Sequence, residues 1–120
     1  MQDHEFFAKV LGLETPWQVK NVTLDLAGTQ VEVTLECRPE HEWTSADGRR
    51  LHVHGWEERR WRHLDTMQLE TMLVARVPRL LDPQSGRTEM AVVPWAKKSA
   101  RWTALFEAWA VRLLQAVPNV

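Results

Sequence analysis

The sequence predicts an α+β fold: an antiparallel, β-rich middle between a short N-terminal helix and a long C-terminal one. Three observations predict it. Apolar residues recur at every second position at Val22, Leu24 and Leu26 and again at Val31, Val33 and Leu35, and Leu69, Thr71, Leu73, Ala75 and Val77 share one side at the same strand period. From residue 99 the spacing becomes helical. A chain of 120 residues, 44% of them apolar, suffices for one core but not for several.

Taken in order, residues 3–12 (DHEFFAKVLG) suit a short helix capped by Asp3 and ended by Gly12. Phe6, Phe7 and Val10 form its apolar face. Val22, Leu24 and Leu26 then alternate with polar residues. After Ala27-Gly28-Thr29 the alternation resumes at Val31, Val33 and Leu35, which predicts a hairpin. Its other face, with Asp25, Glu32 and Glu36, is acidic and a poor surface for phosphates. Further strands are expected at 51–56 (LHVHGW), 59–65 (RRWRHLD), 68–81 (QLETMLVARVPRLL) and 87–94 (RTEMAVVP). In the second of these Trp61 alternates with Arg60 and Arg62, giving one basic face. In the third, Leu69, Thr71, Leu73, Ala75 and Val77 share a side. The segment SARWTALFEAWAVRLLQA places Trp102, Leu105, Phe106, Trp109 and Leu113 on one helical stripe, expected to pack into the core. Ser99 is its expected N-cap and Pro118 its stop. With no repeat or linker, residues 1–120 are expected to form one domain: helix and hairpin over 1–43, the middle over 44–98 and the terminal helix over 99–117.

No apolar run approaches the ~20 residues of a membrane span. The start lacks the basic region and cleavage site of a signal peptide. One cysteine, Cys37, excludes an internal disulfide framework. These features predict a cytoplasmic protein without a membrane partner.

Charge is unevenly spread. Residues 1–48 carry nine acids against three bases, and residues 49–120 carry twelve bases against seven acids. A basic later half prompts a nucleic-acid reading, while neutralisation of one half by the other explains the same composition. The stretch DGRRLHVHGWEERRWRHLD concentrates the question. The candidate phosphate contacts are Arg49, Arg50, Arg59, Arg60, Arg62, His63, Arg76, Arg79, Arg87, Lys97, Lys98 and Arg101. The opposing reading is a solvated face paired with Glu57, Glu58 and Glu70. His52 and His54, two apart, point the same way on a strand, but no third metal donor is evident nearby. No phosphate loop, HExxH or nucleophile elbow is present. Asp47, Asp65 and Asp82 are too scattered to mark a nuclease.

Two turns match each other: TSADG at 44–48 and DPQSG at 82–86. Each has two polar residues three apart, the second followed by Gly. With Cys or His at 44, 47, 82 and 85 they would be the paired knuckles of a zinc ribbon. Together with LGLETPWQVKNVTLDLAGTQVEVTLECRPE, RRWRHLDT, ARVPR, VPWA and the terminal segment, they make nearly the whole chain resemble the N-terminal region of ISL3-family transposases. The resemblance implies a zinc-ribbon-like middle, contact with DNA at transposon ends, and a helix-turn-helix and catalytic domain that this chain lacks. By it, Thr44, Asp47, Asp82 and Ser85 occupy the ligand positions. None is Cys or His, and Ser and Thr hydroxyls are poor zinc ligands. No zinc and no other cofactor is therefore expected. The Trp-rich core and the turn-forming Asp-Gly and Asp-Pro pairs must offset on the order of 10 kcal/mol that structural zinc contributes.

The expected function is a metal-free, DNA-binding accessory domain without enzymatic activity. The alternative is a structural or interaction module with no retained DNA binding. If the last helix exposes its stripe, self-association through it is expected.

Overall fold

The structure, a computed structural model, describes residues 3–25, 27–66, 68–97 and 100–116. Its elements are α1 (Asp3–Leu11), β1 (Trp17–Asp25), β2 (Gln30–Cys37), β3 (His52–Thr66), β4 (Leu69–Leu81), β5 (Thr88–Met90) and α2 (Ala104–Ala116). One sheet joins the strands in the order β1-β2-β4-β3, with β5 paired to β4.

The expected hairpin is β1 and β2, although β1 begins at Trp17 and reaches back to Cys37. The two middle segments expected as separate strands are one strand, β3, irregular between Val53 and Gly55. β3 and β4 form a long antiparallel hairpin, and only residues 88–90 of the last expected strand pair. The sheet is not wholly antiparallel. β2 runs parallel to β4, from Gln30 beside Glu70 to Leu35 beside Ala75. Apolar alternation specifies which face is buried, not which strand lies alongside.

The core lies on one face of the sheet. Val31, Val33 and Leu35 of β2 line up with Thr71, Leu73, Ala75 and Val77 of β4, all buried. β3 adds Trp61, and Phe7, Trp17, Ala91, Val93 and Trp95 complete the cluster. Trp95 stands edge-on to both Trp17 (4.9 Å between ring centroids) and Trp61 (5.3 Å), so three indoles interlock. Of the apolar face expected for α1, Phe7 is buried while Phe6 is exposed. The Val10 side chain lies outside the described residues.

α2 differs most from expectation. It is 13 residues, not a long helix from 99, and none of its residues is buried. Trp102, Leu105, Trp109 and Leu113, expected in the core, are each about half exposed. Ser99 and Pro118 lie outside the described residues, and the cap is Thr103. The Phe106 N–H donates to Thr103 Oγ1 at 3.1 Å and the Glu107 N–H to the Thr103 carbonyl at 3.0 Å. The 101–103 segment runs beside β3: Arg62 N–H donates to the Arg101 carbonyl and Thr103 N–H to the Arg62 carbonyl, both at 2.9 Å. Thr103→Ala removes the cap and the partner of a buried imidazole. It should cost about 1–2 kcal/mol, read as a lower urea midpoint at unchanged slope.

Candidate functional site

The two matching turns are hairpin ends. Thr44 pairs with Arg50 across the first, and β4 and β5 flank the second. The glycines closing them, Gly48 (φ 85°) and Gly86 (φ 72°), take the left-handed conformation that a side chain would strain. The Asp82 N–H donates to the Arg87 carbonyl at 2.9 Å, and the Gly86 N–H to the Asp82 carbonyl at 2.7 Å.

Arg49 connects the turns. Its Nη1 donates to both Asp82 carboxylate oxygens at 2.8 and 2.7 Å. Its Nε donates to both Asp47 oxygens, at 3.1 and 3.0 Å. Ser45 Oγ donates to Asp47 and accepts the Arg49 backbone N–H at 3.0 Å. The Gln84 N–H also donates to Asp82, at 3.0 Å. The Ser45 hydroxyl and then Arg49 hold the Asp47 carboxyl below the usual carboxylate range. Partial burial pushes Asp82 upward, but the Gln84 N–H and Arg49 outweigh it, so it too lies low. Thr44 and Ser85 take no part. With Asp82 they border a cleft of about 790 Å³, otherwise lined largely by apolar side chains such as Trp43, Leu51 and Met90. Among the described residues, no group of three or more His, Cys, Asp or Glu is placed to hold a metal ion. Cys37 ends β2, its thiol pushed up by burial and by Glu40, so it stays protonated.

Several of the remaining candidate cations already have acidic partners. Arg60 meets Glu32 at 2.7 Å, and Arg62 meets Asp65 at 2.6 Å and Glu70 at 3.8 Å. Arg62 also lies over the Phe106 ring. The basic face expected around Trp61 is thus neutralised at 60 and 62, in part by the acidic face of the first hairpin. Arg50 with Glu42, Arg79 with Glu57 and Lys97 with Glu107 are exposed pairs at 3.7–3.8 Å. Such contacts contribute about 0–1 kcal/mol and exchange readily. Among the described residues, Arg59, Arg76, Arg87 and Arg101 are in no ion pair. Arg59 lies over Trp61, 5.5 Å from the ring centroid, and shares a notch with Lys97. Arg101 sits beside Arg62 on the outer edge of β3. Lys98 lies outside the described residues.

His63, counted among the phosphate contacts, is instead 2% exposed, with Nδ1 2.7 Å from Thr103 Oγ1. An imidazole buried on β3 against Thr103 cannot reach a backbone phosphate. Burial, then the neighbouring Arg62 charge, lowers its pKa below the ordinary value. The folded state therefore binds fewer protons than the unfolded chain, whose His titrates near ~6.5. The contribution to stability is complete above that value and is lost as pH falls below it. Moving from pH 7.5 to 5.5 should lower the melting temperature, and His63→Gln should flatten that dependence in the same window.

The role of Arg49 between the turns was not visible in the sequence. Its partner Asp82 is 33 residues away, and the only signal was one Asp in each turn.

Residues 47–81 match the family described as zinc-finger of transposase IS204/IS1001/IS1096/IS1165, the ISL3-type zinc ribbon. The chain is also 30% identical, over a 119-residue alignment, to the transposase for insertion sequence element IS1557 in two strains of Mycobacterium tuberculosis. That alignment takes in 91% of this chain but 27% of each relative, so the chain spans about a quarter of the length of the curated relatives it matches. No solved structure matches it. No helix among the described residues is long and apolar enough to cross a membrane.

Proposed function

We propose that this chain, similar to the zinc-ribbon region of ISL3-type transposases, is a metal-free accessory domain that contacts the DNA backbone and carries out no catalysis itself. The observation that carries this reading is the placement of Arg59, Lys97 and Arg101 about the outer edge of β3. Among the described residues none of the three has a carboxylate nearer than 3.7 Å. Arginine and lysine so placed bind phosphate oxygens and fix register without reading bases. Arg76 and Arg87 are further contacts, and the exposed pairs at Arg50 and Arg79 can yield to phosphate. Arg49, Arg60 and Arg62 are occupied by carboxylates, so their part is mainly structural. The strands from both halves of the chain share one sheet, which supports a single domain over residues 1–120. By the same resemblance the DNA is a transposon end, and the lone cysteine fits a reducing cytoplasm.

The test is a titration of duplex DNA followed by tryptophan fluorescence. The wild type should bind at low salt and release as salt rises. The variant carrying Arg59→Gln, Lys97→Gln and Arg101→Gln should keep its melting temperature and lose binding. Absence of binding by the wild type at low salt would refute the reading.

The exposed face of α2, with Trp102 just before it, favours a second reading, an interaction module that pairs with its own copy through Trp102, Leu105 and Trp109. A sedimentation mass that stays monomeric across a hundredfold range of concentration would exclude it.

A further inference from the structure

The matched family carries zinc, yet the donors at the two turns do not fit it. Two are hydroxyls, and the two carboxylates are already engaged by a guanidinium. We infer that Arg49 is an internal cation that pins the two turns together in place of a metal ion. The inference rests on reading Thr44, Asp47, Asp82 and Ser85 as former ligand positions.

The geometry supports it in three ways. First, the guanidinium uses different edges for its two partners, Nη1 towards Asp82 and Nε towards Asp47, so one rigid planar group spans both turns. Second, each carboxylate has another donor besides the arginine, Ser45 Oγ on Asp47 and the Gln84 N–H on Asp82, each on an oxygen that Arg49 also meets. Neither must be ordered by the arginine alone. Third, only one position in each turn is used. A planar fork has no need of a tetrahedron, which accounts for Thr44 and Ser85 lining the cleft while the guanidinium bonds only Asp47 and Asp82 among the described residues. The resulting joint should weaken with ionic strength and ignore chelators, the opposite of a metal pin.

A double-mutant cycle tests it: Arg49→Met, Asp82→Asn and the two combined. Each single variant should lower the melting temperature by about 5 °C, and the double should lose little more than the worse single. EDTA should leave the wild type unchanged. In a second arm, Thr44→Cys, Asp47→Cys, Asp82→Cys and Ser85→Cys are combined with Arg49→Ala, and added Zn²⁺ should raise the melting temperature sharply at one ion per chain. If Arg49→Met does not fold, the wild-type Arg49 Nε–H resonance is the readout. Protection from solvent exchange supports the clasp, and fast exchange overturns it. Additive losses without bound metal would sink the clasp alone. Stoichiometric Zn²⁺ on the wild type, removed by EDTA with loss of stability, would sink the metal-free part of the proposed function as well.

Discussion

Trp61→Ala should cost about 3–5 kcal/mol of folding stability, the usual range for truncating a buried aromatic side chain. Trp61 is 1% exposed, sits opposite Leu73 on β4 and meets Trp95 edge-on. Truncation leaves a cavity that the paired backbone of β4 alongside cannot close. The neighbouring Trp95 loses one of its two aromatic contacts, and Arg59 loses the ring it lies over. Domains of this size have total stabilities of about 5–15 kcal/mol, so the variant should unfold at the lowest urea concentrations or fail to accumulate. Trp56→Ala is the control. That ring is 44% exposed on β3, and its loss should move the midpoint by less than about 1 kcal/mol. Equal effects from the two substitutions would contradict the core described above.

Raising salt from 50 to 200 mM should weaken binding to duplex DNA by about 40-fold, if three phosphate contacts are made at Arg59, Lys97 and Arg101. Each neutralised phosphate contributes about −0.9 to the slope of log affinity against log salt. Three give about −2.7, and a fourfold rise in salt raised to that power gives the figure. Replacing one of the three by Gln should reduce the slope by about 0.9 and weaken affinity alike for unrelated sequences. A far steeper slope would mean that Arg76, Arg87 or the loosely paired Arg50 and Arg79 also meet phosphate, or that Arg60 and Arg62 leave their carboxylates on binding. A flat slope would remove the phosphate contacts altogether.

The pairing of the first hairpin and the buried sides of β2 and β4 were legible because alternation tracks burial there, and Val31, Val33, Leu35, Leu73, Ala75 and Val77 are all inside, whereas Leu24 of the β1 alternation is 54% exposed. The parallel seam between β2 and β4 was not, since partner choice depends on chain path. Helical spacing located α2, yet the same stripe is produced whether protein, a partner or solvent meets it, and here it is largely uncovered. Residue counts also overstated the basic surface. Glu32 and Arg60 are 28 residues apart and Arg49 and Asp82 33 apart, separations at which no local pattern indicates pairing. The matching turns were visible as a pair, but what lies between them was not.

The parallel seam has a consequence for synthesis. β2 leaves the ribosome well before β4, its partner on the open flank, and neighbouring β1 covers only the other side. During that interval the nascent hairpin presents unpaired peptide groups beside a row of Val and Leu, the kind of template that recruits stray strands. The acidic residues on its reverse side then act as a solubilising coat, keeping the early chain dispersed until the later half arrives.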